Sequence, residues 1–147
     1  MPEVFLKIIN TSNNALPQYA TAGAAGMDVR AFLHESLTLP SLARMAVPTG
    51  LFLEIPPGFE VQVRPRSGLA LRQGLTCLNT PGTIDSDYRG ELKVLLINLS
   101  AEAQIINSGD RIAQLVLQKT ERITWQLVDT LTETARSGGG FGSTGKN

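Results

Sequence analysis

The stretch Asn79-Thr80-Pro81-Gly82-Thr83-Ile84-Asp85-Ser86-Asp87-Tyr88-Arg89-Gly90-Glu91 decides how this chain is read. Ile84 is the apolar residue of a strand that enters a tight turn, with Asp87 and Gly90 at the first and last turn positions. The outgoing segment Leu92–Asn98 has the apolar density of a buried strand, so the stretch reads as a hairpin. Two carboxylates, an aromatic ring and an arginine are more chemistry than a turn requires. The rest of the sequence is therefore searched for partners of Asp85.

Strand signals dominate to either side. Phe59–Arg64 alternates strictly between apolar and polar residues, which predicts one buried and one wet face. It follows the Pro56-Pro57-Gly58 turn and an earlier strand, Leu51–Ile55. Val4–Asn10, Ile112–Gln118 and Ile123–Leu127 also read as strands. Glycines 50, 58, 68, 74, 82 and 90 fall between these runs, a rhythm that predicts an all-β sandwich or barrel. One segment is helical in character: Ser67 is the expected N-cap and Gly74 the expected stop. Arg64 and Arg66 precede it, either as a solvated basic pair or as partners of an anion at the helix start.

Bulk properties narrow the function. At 147 residues the chain suits one domain with a proper core. Thirteen basic residues balance thirteen acidic ones, so no broad cationic face for a nucleic acid is expected. Apolar runs fall far short of the ~18 residues that suggest a bilayer span, and no signal peptide is visible, which points to the cytoplasm. Cys77 is the only cysteine and reads as a buried structural thiol. His34, in a strand-like segment, is the only histidine, which argues against a tetrahedral zinc site or a serine triad.

From Thr130 onward the composition changes to glycines and hydroxyl residues around Arg136 and Phe141. Such a segment cannot bury enough apolar surface to fold alone. It is either a flexible tail or a strap able to wrap a phosphate with backbone N–H groups and stack a ring on a base. The glycine patterns near Gly140 imitate dinucleotide-binding and Walker motifs but lack the strand and helix those require. Near the start, Asp28 opens a strand beside the small-residue turn Ala24-Ala25-Gly26.

Taken in order, five stretches resemble the five motifs of the trimeric dUTPases. They are Ala25–Val29, Pro65–Ala70, Asn79–Glu91, Gly109–Leu115 and Arg136–Gly145. The resemblance implies a distorted jelly-roll β-barrel over residues 1–130 with a closing arm, residues 131–147. It also implies a homotrimer, a magnesium ion, and hydrolysis of dUTP to dUMP and pyrophosphate by water attack on the α-phosphorus. Asp85 resembles the carboxylate that holds and activates the water. Tyr88 resembles the ring under the deoxyribose, Asn79 and the hairpin backbone the uracil-reading edge, and Thr83, Ile84 and Lys93 the nucleoside pocket. Arg66, Ser67, Gly68 and Gln114 match phosphate-binding positions. Asp28 matches the aspartate that reaches magnesium through metal-bound water. Arg136, Phe141, Ser143 and Thr144 match the closing arm, Phe141 over the uracil and the others on the γ-phosphate. Ser137 departs from the glycine usual after the arginine, and Val29 from a frequent leucine.

The related dCTP deaminases resemble this pattern but carry a glutamate base where Leu95 stands here. A non-catalytic nucleotide-binding regulator of the same fold is the other alternative, against which Asp28, Asp85, Gln114 and the intact arm weigh.

Overall fold

The computed structural model describes residues 2–147. Along the chain it contains β1 (Lys7–Asn10), β2 (Met27–Arg30), β3 (Leu37–Leu39), β4 (Arg44–Glu54), β5 (Phe59–Arg64), α1 (Ser67–Gln73), β6 (Leu75–Cys77), β7 (Gly82–Ile84), β8 (Glu91–Asn98), β9 (Gln104–Ile106) and β10 (Arg111–Lys119). The expected all-β architecture is present. One four-stranded sheet has the order β1-β4-β8-β6, a second has β2-β10-β5-β7, and β3 pairs with β9 as a ribbon. All pairings are antiparallel, and the strands form separate sheets, not one closed cylinder.

One core lies between the two large sheets. Val47, Leu51, Leu92, Val94 and Leu96 enter it from one side, and Val29, Val61, Val63, Ala113 and Leu115 from the other. The alternation in β5 works as its sequence predicts: Val61 and Val63 are buried, while Glu60, Gln62 and Arg64 link side chain to side chain on the outer face. β8 is buried on one face only, because Lys93 and Leu95 point away from the core. Cys77 is buried in β6, and burial pushes its thiol up to about 11, which suits an inert structural residue.

Several boundaries differ from the sequence expectations. β4 begins at Arg44 and passes through Gly50, where its register against β8 shifts, so Gly50 marks a bulge inside a strand. The first strand starts at Lys7, not Val4. Arg66, not Ser67, is the N-cap of α1, in extended conformation with no side-chain cap. Gly74 does end the helix, at φ 66° with its N–H turned back to the Leu69 and Ala70 carbonyls. His34 lies between strands, its ring 5.9 Å from that of Phe32. Ile123–Leu127 is not a strand. Ile123, Trp125 and Leu127 are at least 73% exposed, and a strand has no stability without a neighbour to pair with.

Thr49 and Asn98 are the buried polar residues among those described. Thr49 donates its hydroxyl to the Leu92 carbonyl. Asn98, with no exposed surface, donates its amide to the carbonyls of Leu39 (2.9 Å) and Glu102 (2.8 Å), and accepts from the Ser100 N–H (2.9 Å). It thereby ties the end of β8 to β3 and to the turn before β9. Asn98→Ala removes the partner of four polar groups, the Ser100 hydroxyl included, and is expected to lower the unfolding free energy by roughly 2–3 kcal/mol. Urea unfolding at fixed protein concentration measures this, and a change below ~0.5 kcal/mol, the size of an ordinary surface substitution, would contradict it.

Candidate active site

The decisive stretch is a corner between sheets and not a hairpin. β7 pairs with β5, through Val61↔Ile84, Gln62↔Thr83 and Val63↔Gly82, whereas β8 pairs with β4 and β6. The intervening chain must cross from one sheet to the other. It does so in a turn closed by the Tyr88 N–H on the Asp85 carbonyl (3.2 Å), which places Asp85 at the first position and Asp87 inside. Arg89 clasps this turn, its Nη1 donating to the carbonyls of Ser86 (2.7 Å) and Tyr88 (3.2 Å). Its Nη2 lies 3.7 Å from Glu54, whose other oxygen meets Lys7 at 2.8 Å. The Lys7 hydrogen bond, then its charge and to a lesser degree that of Arg89, hold the Glu54 carboxyl below its usual range.

A hollow of about 260 Å³ opens beside the corner, lined by Asn79, Thr83, Ile84, Asp85, Tyr88 and Lys93 together with Glu91, Leu92 and Leu95. The structure thus brings the five residues expected around a nucleoside together with Asp85, expected to hold the water. The two carboxylates are both exposed but unequal. Asp85 lines this hollow, while Asp87 lines only the neighbouring groove with Glu60 and Thr120–Ile123.

A second cluster forms where β2, β10 and β5 lie side by side. Gln114 is in register with Asp28 on one flank and Arg64 on the other. Arg66 meets Asp28 through Nε at 3.0 Å, and Arg111 meets its second oxygen at 3.3 Å. Gln114 donates its amide to the Pro65 carbonyl at 3.2 Å, and Ser67 and Gly68 open α1 just beyond. Asp28, Arg66, Ser67, Gly68 and Gln114 are therefore neighbours. Arg89 and Arg111 have no role in the sequence reading. Their charge was visible, but surface arginines are ordinarily solvated, and only the pairing partners distinguish these two.

Among the described residues no three His, Cys, Asp or Glu side chains gather as a metal cage. Asp28 is one third exposed and faced by guanidinium groups. A lone carboxylate fits a cation that keeps its waters and takes its direct ligands from a bound molecule.

The two clusters stand apart. In the β5–β7 register Asp85 falls level with Glu60, four strand steps from Arg64, about 13 Å at 3.3 Å per residue. Asp28 lies three strands across from β7, ~14 Å at the usual spacing, so the two aspartates are on the order of 20 Å apart. The arm meets neither cluster closely enough to be buried. Phe141 is fully exposed at φ 53°, and Arg136, Ser143 and Thr144 are exposed too. Arg136 turns onto its own segment, donating to the Gly139 carbonyl at 2.6 Å. Ser137 adopts φ 42°, a conformation that glycine enters freely and other residues at a cost of roughly 1 kcal/mol. Its hydrogen bonds with Thr134, at 2.9 Å and 2.6 Å, offset that cost.

Comparison with known proteins covers almost the whole chain. The dUTPase family model matches residues 12–145. Over 141 residues the chain is 58% identical to a deoxyuridine 5'-triphosphate nucleotidohydrolase of Cytophaga hutchinsonii, covering 96% of this chain and 92% of that one. A protein of the same description from Fusobacterium nucleatum is 57% identical over 146 residues, covering 99% and 100%. The fold is similar to that of a Staphylococcus bacteriophage 80alpha dUTPase variant with dUpNHpp, at TM-score 0.84 and 23% identity over 97% of this chain and 99% of that one. It is also similar to a variant of the phage phi11 dUTPase, described with a structural Mg(II) ion, at TM-score 0.74 and 22% identity over 88% and 100%. With the family model matched over residues 12–145 and relatives 58% and 57% identical matched nearly end to end, the chain belongs to the dUTPase family.

Proposed function

We propose that this protein hydrolyses dUTP to dUMP and pyrophosphate, with the nucleoside in the hollow beside β7 and Asp85 directing water onto the α-phosphorus. The observation that carries this is the convergence of Asn79, Thr83, Ile84, Asp85, Tyr88 and Lys93 on one hollow in a chain 58% identical to a named dUTP hydrolase. Asn79 and the backbone of the corner read the uracil edge, and Tyr88 packs under the deoxyribose. Fixed donors and acceptors penalise a wrong base strongly, because a mismatched edge leaves them unpaired. Asp85 acts first by orienting the water and then as the base that receives its proton.

Arg66, Ser67, Gly68 and Gln114 take the phosphates. The planar Arg66 fork suits phosphate oxygens, and pairing with Asp28 already holds it in place. Magnesium, when bound, neutralises phosphate charge and favours the departing pyrophosphate. Asp28 would hold it through its waters. Arg136, Phe141, Ser143 and Thr144, in an arm of residues 131–147 beyond a barrel domain of residues 1–130, close over the uracil and the γ-phosphate.

Such a site needs more than one copy of the chain. The ~20 Å between Asp85 and Asp28 exceeds what one triphosphate can bridge, and the bare arm with Ile123, Trp125 and Leu127 lacks a partner within its own chain. Both support sites shared between subunits, and the family resemblance supplies the homotrimer. The setting proposed is the cytoplasm, with no nucleic acid or membrane as partner; no helix among the described residues is long and apolar enough to cross a bilayer. Leu95 on the wall of the hollow cannot move protons, so nothing there supports deamination.

Pyrophosphate release measured across dUTP, dCTP, dTTP and UTP, with and without magnesium, tests the reading. dUTP is the expected substrate, and ammonia from dCTP would overturn it. Asp85→Asn is expected to lower kcat by roughly 10²–10⁴-fold, the usual worth of a general base, while nucleotide binding persists. Unchanged turnover in that variant would remove Asp85 from its role. Deleting residues 136–147 should leave a folded assembly with kcat reduced on the order of 10²-fold. A truncated protein at full rate would return the arm to a passive tail.

A further inference from the structure

Gly90 lies under the ring of Tyr88. A Cβ built on Gly90 would stand 2.4 Å from the Tyr88 hydroxyl oxygen, 2.6 Å from Cζ and 3.0 Å from Cε1. No other neighbour comes so near, and Gly90 is not among the glycines at positive φ. The turn does not require glycine for its backbone; the tyrosine ring requires it for space. The hydroxyl of the same ring donates to the Glu91 carbonyl at 2.9 Å. At its other end the Tyr88 N–H closes the turn on Asp85. The ring is thus seated on a bare Cα and tethered at its hydroxyl by the residues that follow it, while its own backbone is pinned to Asp85 before it.

Discrimination against an added hydroxyl demands such a seat. A side chain that merely touches a deoxyribose can retreat when a ribose arrives, and a contact that yields discriminates weakly. Resting directly on the Gly90 backbone and tied to Glu91, the ring has no room to retreat. We propose that Gly90 and the Glu91 carbonyl are positioning elements that set the selectivity of the site for 2′-deoxyribose over ribose, acting through Tyr88. This rests on the reading of the hollow as the nucleoside site.

Gly90→Ala adds one methyl, and the atoms it meets are at the far end of a side chain, so the ring moves and the fold is kept. Whether the ring is driven into the hollow or swung out of it, dUTP loses and UTP does not lose equally. The ratio of kcat/KM for dUTP over UTP is expected to fall by roughly tenfold or more, the scale of a misplaced methyl. The loss for dUTP should lie mainly in KM, because the ring touches sugar and not the reacting phosphorus.

A double-mutant cycle with Tyr88→Leu separates this from general damage. In the Tyr88→Leu background, Gly90→Ala is expected to leave the ratio unchanged. A shift of equal size in both backgrounds, or no shift in the tyrosine background, overturns the proposal. Should Gly90→Ala not fold, Tyr88→Phe removes only the tether to Glu91, and an unaltered ratio in that variant overturns the proposal equally. The ring resonances of Tyr88 without nucleotide report the seat independently of turnover. If wild-type protein releases no pyrophosphate from dUTP, the functional reading fails, whereas a Gly90→Ala change in those resonances still registers the seat.

Discussion

Val61 and Val63 sit in the core between the sheets, and their burial locks β5 between β10 on one side and β7 on the other. Side chains along a strand alternate with period two, so a slip by one residue would turn both valines to solvent and the polar residues inward. Both clusters are referenced to this register. Through β7 it fixes where the corner leaves the sheet, and so where Asp85 stands. Through β10 it fixes Gln114 beside Asp28 and the end of β5, and so where Arg66 begins α1. The two clusters are thereby held rigidly apart within one chain, on the order of 20 Å from each other.

The second cluster is electrostatically economical. Arg66 and Arg111 share Asp28, and neither guanidinium is buried without a counter-charge. Half-exposed pairs of this kind add little to stability, since screening by water leaves them near zero to ~1 kcal/mol. Their value lies in orientation. An arginine already held by a carboxylate loses less freedom when a phosphate arrives than one swinging in solvent.

Much of this was legible in the sequence wherever local pattern suffices. The alternation of Phe59–Arg64 and the stop at Gly74 follow from periodicity and from backbone freedom. What failed depends on contacts distant in the chain. Ile84 and Leu92–Asn98 read as a hairpin because they are adjacent and apolar, yet β7 finds its partner some twenty residues earlier and β8 joins the other sheet. Ile123–Leu127 alternates like a strand, and within one chain no strand pairs with it. Asn79, Thr83, Ile84, Asp85, Tyr88 and Lys93 around the hollow beside β7 were identified by motif resemblance. The Gly90 seat, the Arg89 clasp and the Arg111 pairing were not, because a glycine in a turn and an arginine on a surface have ordinary explanations that only coordinates displace.

Trp125 gives the exposed segment after β10 a further property. It is the only tryptophan in the chain, 86% exposed, and lies outside every strand and remote from the core residues. Indole fluorescence from this protein therefore originates wholly in the exposed segment between β10 and the arm and carries no signal from the interior of the sheets. The molecule has its own optical label on this exposed segment, and emission wavelength becomes a direct gauge of whether that segment is wet or covered.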